Sequence, residues 1–298
     1  MSTGNGLLLA VELDGRNESP RALKEAVTAA ERAGFTLVTF GDALVPEADE
    51  EYRIDAGTRA AFVSSTTSTI GLAPTVHTLT TEPFFLATQL ASLDHTSHGR
   101  GAWVVGADNR SAAHDAVGTD VRDADAITRE VRDVVDLARR LWDSWEDDAV
   151  IRDTATGRYL DPDKVHHVRF EGEFFDVVGP LITPRSPQGQ IVVIGRADLG
   201  IADLLDIVLV DDPTSAAEHD RLVFADVSVT DDVSPLVGVV DGVRFTPASA
   251  EELGDLIDRV APALAEAGVL RRPEPGRTLR ENLGLDRPVS RYAVTAQN

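Results

Sequence analysis

The stretch LASLDHTSHGRGAWVV, residues Leu90–Val105, joins the end of a helical pattern to a short buried strand. Gly99 and Gly101 interrupt the helical pattern, because glycine readily adopts the backbone conformations that end a helix. The apolar run AWVV follows at once, at residues 102–105. A helix that leads within a few residues into a buried strand is typical of parallel strands joined by helical crossovers. This stretch therefore predicts an α/β fold.

The same alternation of helical and apolar segments extends in both directions from that stretch. The predicted strands are Leu7–Leu13, Thr36–Phe40, Ile70–His77, Ala102–Val105, Ile191–Ile194, Ile207–Val210, Leu222–Val229 and Val243–Thr246. The predicted helices are Pro20–Ala33, Asp55–Ser64, Pro83–Ser97, Asp125–Asp148 and Ala250–Ala267. Eight strands in a chain of 298 residues suit one α/β barrel, which needs roughly 250 residues. We predict a single domain over residues 1–298.

Three segments depart from the regular alternation. Residues 153–187 contain Gly, Pro and alternating apolar positions, which predict a β-hairpin inserted before the fifth strand. The crossovers after the fifth and sixth strands are shortened and have room for about two helical turns or less. A C-terminal tail covers about residues 270–298.

Composition excludes several classes of function. The formal net charge is −22 and the lysines are Lys24 and Lys164 alone, so nucleic acid and anionic lipid would be repelled. The absence of cysteine excludes disulfides, thiolate metal sites and thiol nucleophiles. The N-terminal apolar run is too short for a signal peptide or a membrane span, and no basic residue precedes it. We expect a cytoplasmic protein that binds neither nucleic acid nor membrane.

Three passages together resemble one family. They are Leu90–Val105, the strings LWDSWEDDAV and GEFFDVVGPL at residues 141–150 and 172–181, and TLRENLGLDRPVSRYA at residues 278–293. These strings and their order resemble the nitrilotriacetate/dibenzothiophene-sulfone monooxygenase branch of the bacterial-luciferase-like flavin monooxygenases. The resemblance implies a TIM-type (β/α)8 barrel. It also implies oxygenation of a small organic substrate with reduced FMN, which a separate flavin reductase supplies.

The resemblance also assigns candidate site residues. Asp42 ends the second strand at the carboxyl end of the barrel, where this fold builds active sites, and matches an aspartate near the isoalloxazine ring. Thr75 and Thr78 match flavin-contact positions, and His77 stands where the family has a serine. His77 is therefore the one candidate for acid–base catalysis. The alternative interpretations are that Asp42 caps the next segment and that His77 is a satisfied structural group.

Other positions depart from the family pattern. Val104 stands where the family has an asparagine that contacts the flavin, and Ala124 and Thr128 stand where it has a histidine and a tyrosine. Asp198 falls at the serine of the phosphate-binding loop, where a carboxylate repels phosphate. These departures predict weakened or lost flavin binding.

Two hypotheses follow. The first is a luciferase-like flavin-dependent monooxygenase with an altered cofactor pose. The second is a degenerate barrel without flavin that acts as a structural or regulatory partner. The resemblance implies a homodimer through the second and third helices, and the second hypothesis implies pairing with a full-length relative.

A metal hydrolase is the weakest alternative. His95 and His98 lie at a helix end away from the mouth of the barrel, and the adjacent His166 and His167 point apart. No metal site is predicted. Ser144 lacks the Gly-x-Ser-x-Gly context of a serine nucleophile.

Overall fold

The computed structural model describes residues 6–45 and 50–293. Its strands, in chain order, are β1 (Leu8–Leu13), β2 (Leu37–Phe40), β3 (Gly71–His77), β4 (Ala102–Gly106), β5 (Val150–Asp153), β6 (Arg158–Leu160), β7 (Phe170–Glu171), β8 (Asp176–Val177), β9 (Val192–Arg196), β10 (Ile207–Val210), β11 (Leu222–Val227) and β12 (Gly242–Phe245). A closed parallel barrel has the order β1-β12-β11-β10-β9-β4-β3-β2. The predicted eight-stranded α/β barrel is confirmed.

Helices pack around this barrel. They are α1 (Pro20–Ala33), α2 (Ala56–Ser64), α3 (Pro83–Thr96), α4 (Ser111–Val117), α5 (Ala124–Trp142), α6 (Ala250–Asp255), α7 (Ala261–Glu266) and α8 (Leu279–Leu283), with a π-helical turn, Leu256–Val260, between α6 and α7. Local capping sets several helix ends. The Ser19 hydroxyl accepts a hydrogen bond from the Ala22 amide, and Gly34 ends α1 with φ of 97°. Across residues 6–45 and 50–293, no helix has the length and apolar character that crossing a bilayer requires.

Two helix predictions were wrong. The long helix was predicted to reach Asp148, but α5 ends at Trp142. The Ser144 hydroxyl donates to the Leu141 carbonyl and accepts from the Leu181 amide, because a short hydroxyl side chain competes for backbone partners near a helix end. Helix α4 was missed, since its seven residues are too few for a clear periodic pattern.

The region before β9 departs from the barrel pattern as predicted. It forms two antiparallel ribbons, β5 with β6 and β7 with β8, rather than one hairpin. The crossovers that follow are short. Between β9 and β10 there are two 3-10 turns, Ala197–Leu199 and Ala202–Leu204, and between β10 and β11 one, Pro213–Glu218. The predicted shortening is confirmed.

The amino end of the barrel is closed from below. The side chains of Leu279 and Leu283 on α8 pack into the apolar interior of the barrel with Leu8, Leu37 and Phe224. The C-terminal segment therefore contributes to the core through α8. The last predicted tail residues, 294–298, lie outside the described residues, and the single-domain organisation stays a prediction.

The stretch from Asp94 to Gly101 is tied down by buried polar groups. The Asp94 carboxylate is fully buried and accepts from the Gly101 amide at 2.9 Å and the Gln188 side-chain amide at 2.6 Å. Arg100 is 3% exposed, and its guanidinium donates to backbone carbonyls of the segment after α2. This motif holds α3, β4 and the segment before β9 together at the amino end of the barrel.

Candidate functional site

The residues predicted to form the site lie at the carboxyl end of the barrel strands, where the loops of a (β/α)8 barrel build active sites. Asp42, Thr75 and His77 line a pocket of 230 Å³, together with Arg53 and Asp55. Thr78 is buried and does not line this pocket. The structure therefore brings three of the four predicted residues together.

Asp42 is engaged by backbone amides. Its Oδ1 accepts from the Ala43 amide and its Oδ2 from the Ala56 amide, each at 2.9 Å, so the carboxylate holds the start of α2. Burial raises the pKa of Asp42, and the nearby Asp55 charge adds to this, while the two amide hydrogen bonds oppose it. These contacts match the alternative interpretation, in which Asp42 caps the next segment.

His77 bridges two loops through both ring nitrogens. The Asp108 amide donates to Nδ1 at 3.2 Å, and Nε2 lies 3.3 Å from the Asp42 carbonyl, to which it can donate. The imidazole thus links the loops after β2 and β4. An acid–base role would require breaking one of these bonds, and the role of His77 in catalysis stays a prediction.

The two candidate threonines differ in what they offer a ligand. Thr78 donates its hydroxyl to the Gly106 carbonyl at 3.0 Å, and its amide donates to the same oxygen at 2.9 Å. Thr75 is half-buried at the end of β3 and faces the pocket. Thr75 can therefore contact a ligand without rearrangement, whereas Thr78 supports the β3–β4 connection.

A charged cluster that the sequence analysis missed fills the mouth of the barrel. We call it the mouth network, and it consists of Glu12, Arg196, Asp211, Asp226 and Arg244. Arg244 donates through Nε and Nη2 to the two oxygens of Asp226 at 2.6 and 2.7 Å, and through Nη1 to Glu12 at 2.6 Å. Arg196 donates through Nη1 to Asp226 at 3.5 Å and through Nη2 to Asp211 at 2.5 Å. The cluster links the ends of β1, β9, β10, β11 and β12.

Ion pairing stabilises the charged form of Arg244 inside this network, although the side chain is nearly buried. The side chains of Arg244 and Asp226 are 8% and 13% exposed. Burial alone would lower the pKa of Arg244, but the hydrogen bond to Asp226 and the charges of Glu12 and Asp226 outweigh it and raise that pKa. A signal was present in the sequence: Glu12, Asp226 and Arg244 are charged residues at inward positions of otherwise apolar strands, two residues beyond Ala10, Phe224 and Gly242.

The positions that departed from the family pattern lie as follows. Val104 is 7% exposed and packs in the apolar layer inside the barrel. Thr128 lies on the first turns of α5, where its hydroxyl donates to the Ala124 carbonyl at 3.5 Å. Asp198 is in a 3-10 turn after β9, with its carboxylate 3.5 Å from Arg196. None of these side chains offers the amide, imidazole or phenol that the resemblance assigns to flavin contact.

The residues present fit FMN poorly. A flavin phosphate commonly uses the amide groups at an α-helix N-terminus, and the crossover after β9 has 3-10 turns with an acidic side chain instead. A wider cleft of 790 Å³ lies beside the mouth network, between the loops after β1 and β12. Its three carboxylates, Glu12, Asp14 and Glu18, outnumber its one arginine, Arg16, which pairs with Asp14, and this excess of negative charge disfavours an anion there.

Comparison with known proteins gives a family. The family model described as luciferase-like monooxygenase matches residues 5–276. The chain is 34% identical over 298 residues to one of the subunits of pristinamycin IIA synthase from Streptomyces pristinaespiralis, with 97% of this chain and 98% of that protein covered.

The predicted branch is confirmed, since the relatives include nitrilotriacetate and dibenzothiophene-sulfone monooxygenases. Nitrilotriacetate monooxygenase component A of Aminobacter aminovorans is 36% identical over 175 residues, which are 58% of this chain and 38% of that protein. The chain spans only about two fifths of the length of several curated relatives of this kind.

Solved structures share the fold. A riboflavin lyase structure with modified FMN and riboflavin superposes with a TM-score of 0.82 at 21% identity, covering 96% of this chain and 98% of that chain. This likeness supports the barrel architecture.

Proposed function

We propose a function from one premise: the chain belongs to the luciferase-like monooxygenase family. The chain takes part in the oxygenation of a small organic substrate by O₂ and reduced FMN. The two electrons of reduced FMN convert one oxygen atom of O₂ to water while the other atom enters the substrate. A separate flavin reductase supplies the reduced FMN, and the name component A of one relative supports such a division of labour. A cytoplasmic location is part of the same proposal.

Within this reaction, we propose that the chain is one subunit of a two-subunit monooxygenase. The observation that carries this role is the similarity to one relative. The chain is 34% identical over 298 residues to a protein that is named as a subunit of a synthase. The second candidate is an autonomous FMN-dependent monooxygenase, and the placement of Asp42 and Thr75 in one pocket favours it.

An apolar face supports association with another barrel. Helices α2 and α3 enclose a groove of 400 Å³ whose lining includes Ala61, Phe85, Leu90 and Leu93. Phe85 is 59% exposed, and Phe62 on α2 is 48% exposed. Large exposed aromatic side chains beside an apolar groove mark an interaction surface. We propose that this face forms a homodimer in the isolated chain and receives a full-length relative in the working enzyme.

The Phe85→Ser variant tests this face. Burying a phenylalanine contributes about 1.5–3 kcal/mol, so the variant should weaken self-association by about tenfold or more. Analytical ultracentrifugation over a concentration series measures the dissociation constant. Tyr159→Ser is the matched control, because Tyr159 is 58% exposed and lies on β6, outside the groove. Equal dissociation constants for Phe85→Ser and the wild type would contradict the assignment.

Oxygen labelling tests the function. The chain is combined with a longer luciferase-like monooxygenase from the same organism, a flavin reductase, NADH, FMN and a small-molecule extract of that organism, under ¹⁸O₂. Mass spectrometry should detect products that gain one ¹⁸O atom only when both barrel proteins, FMN and NADH are present. Labelled products that form equally well without this chain would rule out the subunit role. Labelled products from this chain without the longer protein would favour the autonomous enzyme.

A further inference from the structure

We infer that this chain does not hold FMN in its own barrel, because the mouth network occupies the space that a flavin ring would need. The inference rests on the proposed function, in which FMN is the cofactor of the assembled enzyme. We assign the flavin to the other barrel of that assembly. This chain completes the assembly without binding flavin itself.

The mouth network spans most of the carboxyl end of the barrel. Members of the mouth network come from five of the eight barrel strands or the residue just after them. Arg244 donates from each of its three nitrogens to a carboxylate, which uses three of its five N–H groups. The apolar interior layer, with Val104, Ile194 and Leu209, lies one inward position before the mouth network along the strands. A planar ring placed across these strand ends would therefore meet the ion pairs of the mouth network.

The remaining strands, β2, β3 and β4, present few free polar groups to a flavin. The Thr39 hydroxyl at the end of β2 donates to Glu12 at 3.3 Å and so joins the mouth network. On β3, the His77 ring lies against Gly106 of β4, since a Cβ added to Gly106 would come within 2.5 Å of His77 Nδ1. Both nitrogens of His77 are bonded to backbone groups. Apart from Thr75, which faces the 230 Å³ pocket, the polar side chains of Thr39 and His77 at the ends of β2 and β3 are hydrogen-bonded to other groups of the chain.

The charge at the mouth of the barrel is unfavourable for a phosphate. The mouth network has three carboxylates and two guanidinium groups, so its net charge is negative when all are ionised. The phosphate of FMN is an anion, and the cleft next to the network is lined by Asp14 and Glu18, with Arg16 already paired to Asp14. Displacing Arg244 toward a phosphate would take its guanidinium away from the partly buried carboxylates of Glu12 and Asp226, which is unfavourable. Both the ring and the phosphate of FMN therefore meet an unfavourable site.

Anaerobic titration of the purified chain with oxidised FMN and then with photoreduced FMN tests the inference. Flavin absorbance and fluorescence report binding, and a full-length luciferase-like monooxygenase titrated in parallel is the positive control. We expect no saturable binding of either form by this chain up to millimolar FMN. Saturable binding in the micromolar range would overturn the inference.

Variants test the mouth network itself. Arg244→Met leaves Glu12 and Asp226 without their partner, whereas the triple variant Glu12→Gln, Asp226→Asn, Arg244→Met removes all three charges together. We expect the single variant to melt several degrees below the triple variant, because an unpaired buried charge costs more than a neutralised pair. Arg21→Met is the control, since the Arg21 side chain is 88% exposed and should leave the melting temperature nearly unchanged. Equal melting of the single and triple variants would show that the mouth network does not hold the barrel mouth closed.

The outcomes separate this inference from the proposed function. Micromolar FMN binding together with oxygenation that requires this chain would overturn the inference and leave the proposed function standing. No FMN binding together with oxygenation that proceeds without this chain would leave the inference standing and overturn the proposed function.

Discussion

Arg100→Met is expected to lower the free energy of unfolding by about 4 kcal/mol, because it removes a buried guanidinium and leaves several carbonyl groups without donors. Arg100 donates to the carbonyls of Ser97 at 2.9 Å, Ile70 at 2.8 Å and Ser64 at 2.8 Å. It also donates to the Thr67 hydroxyl and carbonyl. A methionine of similar length fills the space but supplies no donor, so the loss reports the hydrogen bonds rather than a cavity.

Urea denaturation followed by circular dichroism measures this change. Arg100→Lys should fall between the wild type and Arg100→Met, because one ammonium group cannot reach all of the carbonyls that the planar guanidinium spans. Arg21→Met is the exposed control, with an expected change of about 0.5 kcal/mol or less. If Arg100→Met unfolded at the same urea concentration as this control, Arg100 would not be a structural anchor.

Leu279→Ala is expected to lower the free energy of unfolding by about 2–5 kcal/mol, the range for removing a large aliphatic side chain from a core. Leu279 is fully buried at the amino end of the barrel. A Cβ added to Gly71 would lie 2.7 Å from one methyl carbon of Leu279 and 2.9 Å from the other. Leu279 thus fits against a position where only glycine leaves room.

A double-mutant cycle makes this prediction specific. Gly71→Ala alone should destabilise by about 1–3 kcal/mol through overpacking, and should cost less in the Leu279→Ala background, where the clash with Leu279 is absent. Val289→Ala, at a side chain that is 72% exposed, is the control and should change stability by about 0.5 kcal/mol or less. Strictly additive effects of the two substitutions would contradict the packing described for α8.

Local signals allowed much of the fold to be predicted. The bounds of α1 follow from the Ser19 cap and from Gly34, and the start of α2 from the Asp55 cap. Caps, glycines and apolar periodicity act within a few residues, so they can be read without knowing the tertiary structure. The end of α5 was misplaced because the deciding contact, from Ser144 to Leu181, spans 37 residues.

The candidate site was less accessible to sequence reasoning. Asp42 and Thr75 were placed correctly at the carboxyl end of the barrel, since strand direction sets which end carries them. The hydrogen-bond partners of two neighbouring residues were not predictable. Thr78 bonds to Gly106 at the end of β4, and His77 bonds to Asp42 in the loop after β2. Such hydrogen-bond partners depend on how adjacent strands align, and no local sequence pattern specifies that alignment.

The sequence by itself determined that the chain forms eight strands with shortened crossovers, and which strand ends carry polar groups. Only the tertiary structure decided that Glu12 and Arg244, 232 residues apart, meet inside the closed barrel and pair across its mouth. The physical reason is that closing the barrel places β1 beside β12, and the register between them brings inward side chains of distant segments within hydrogen-bonding distance.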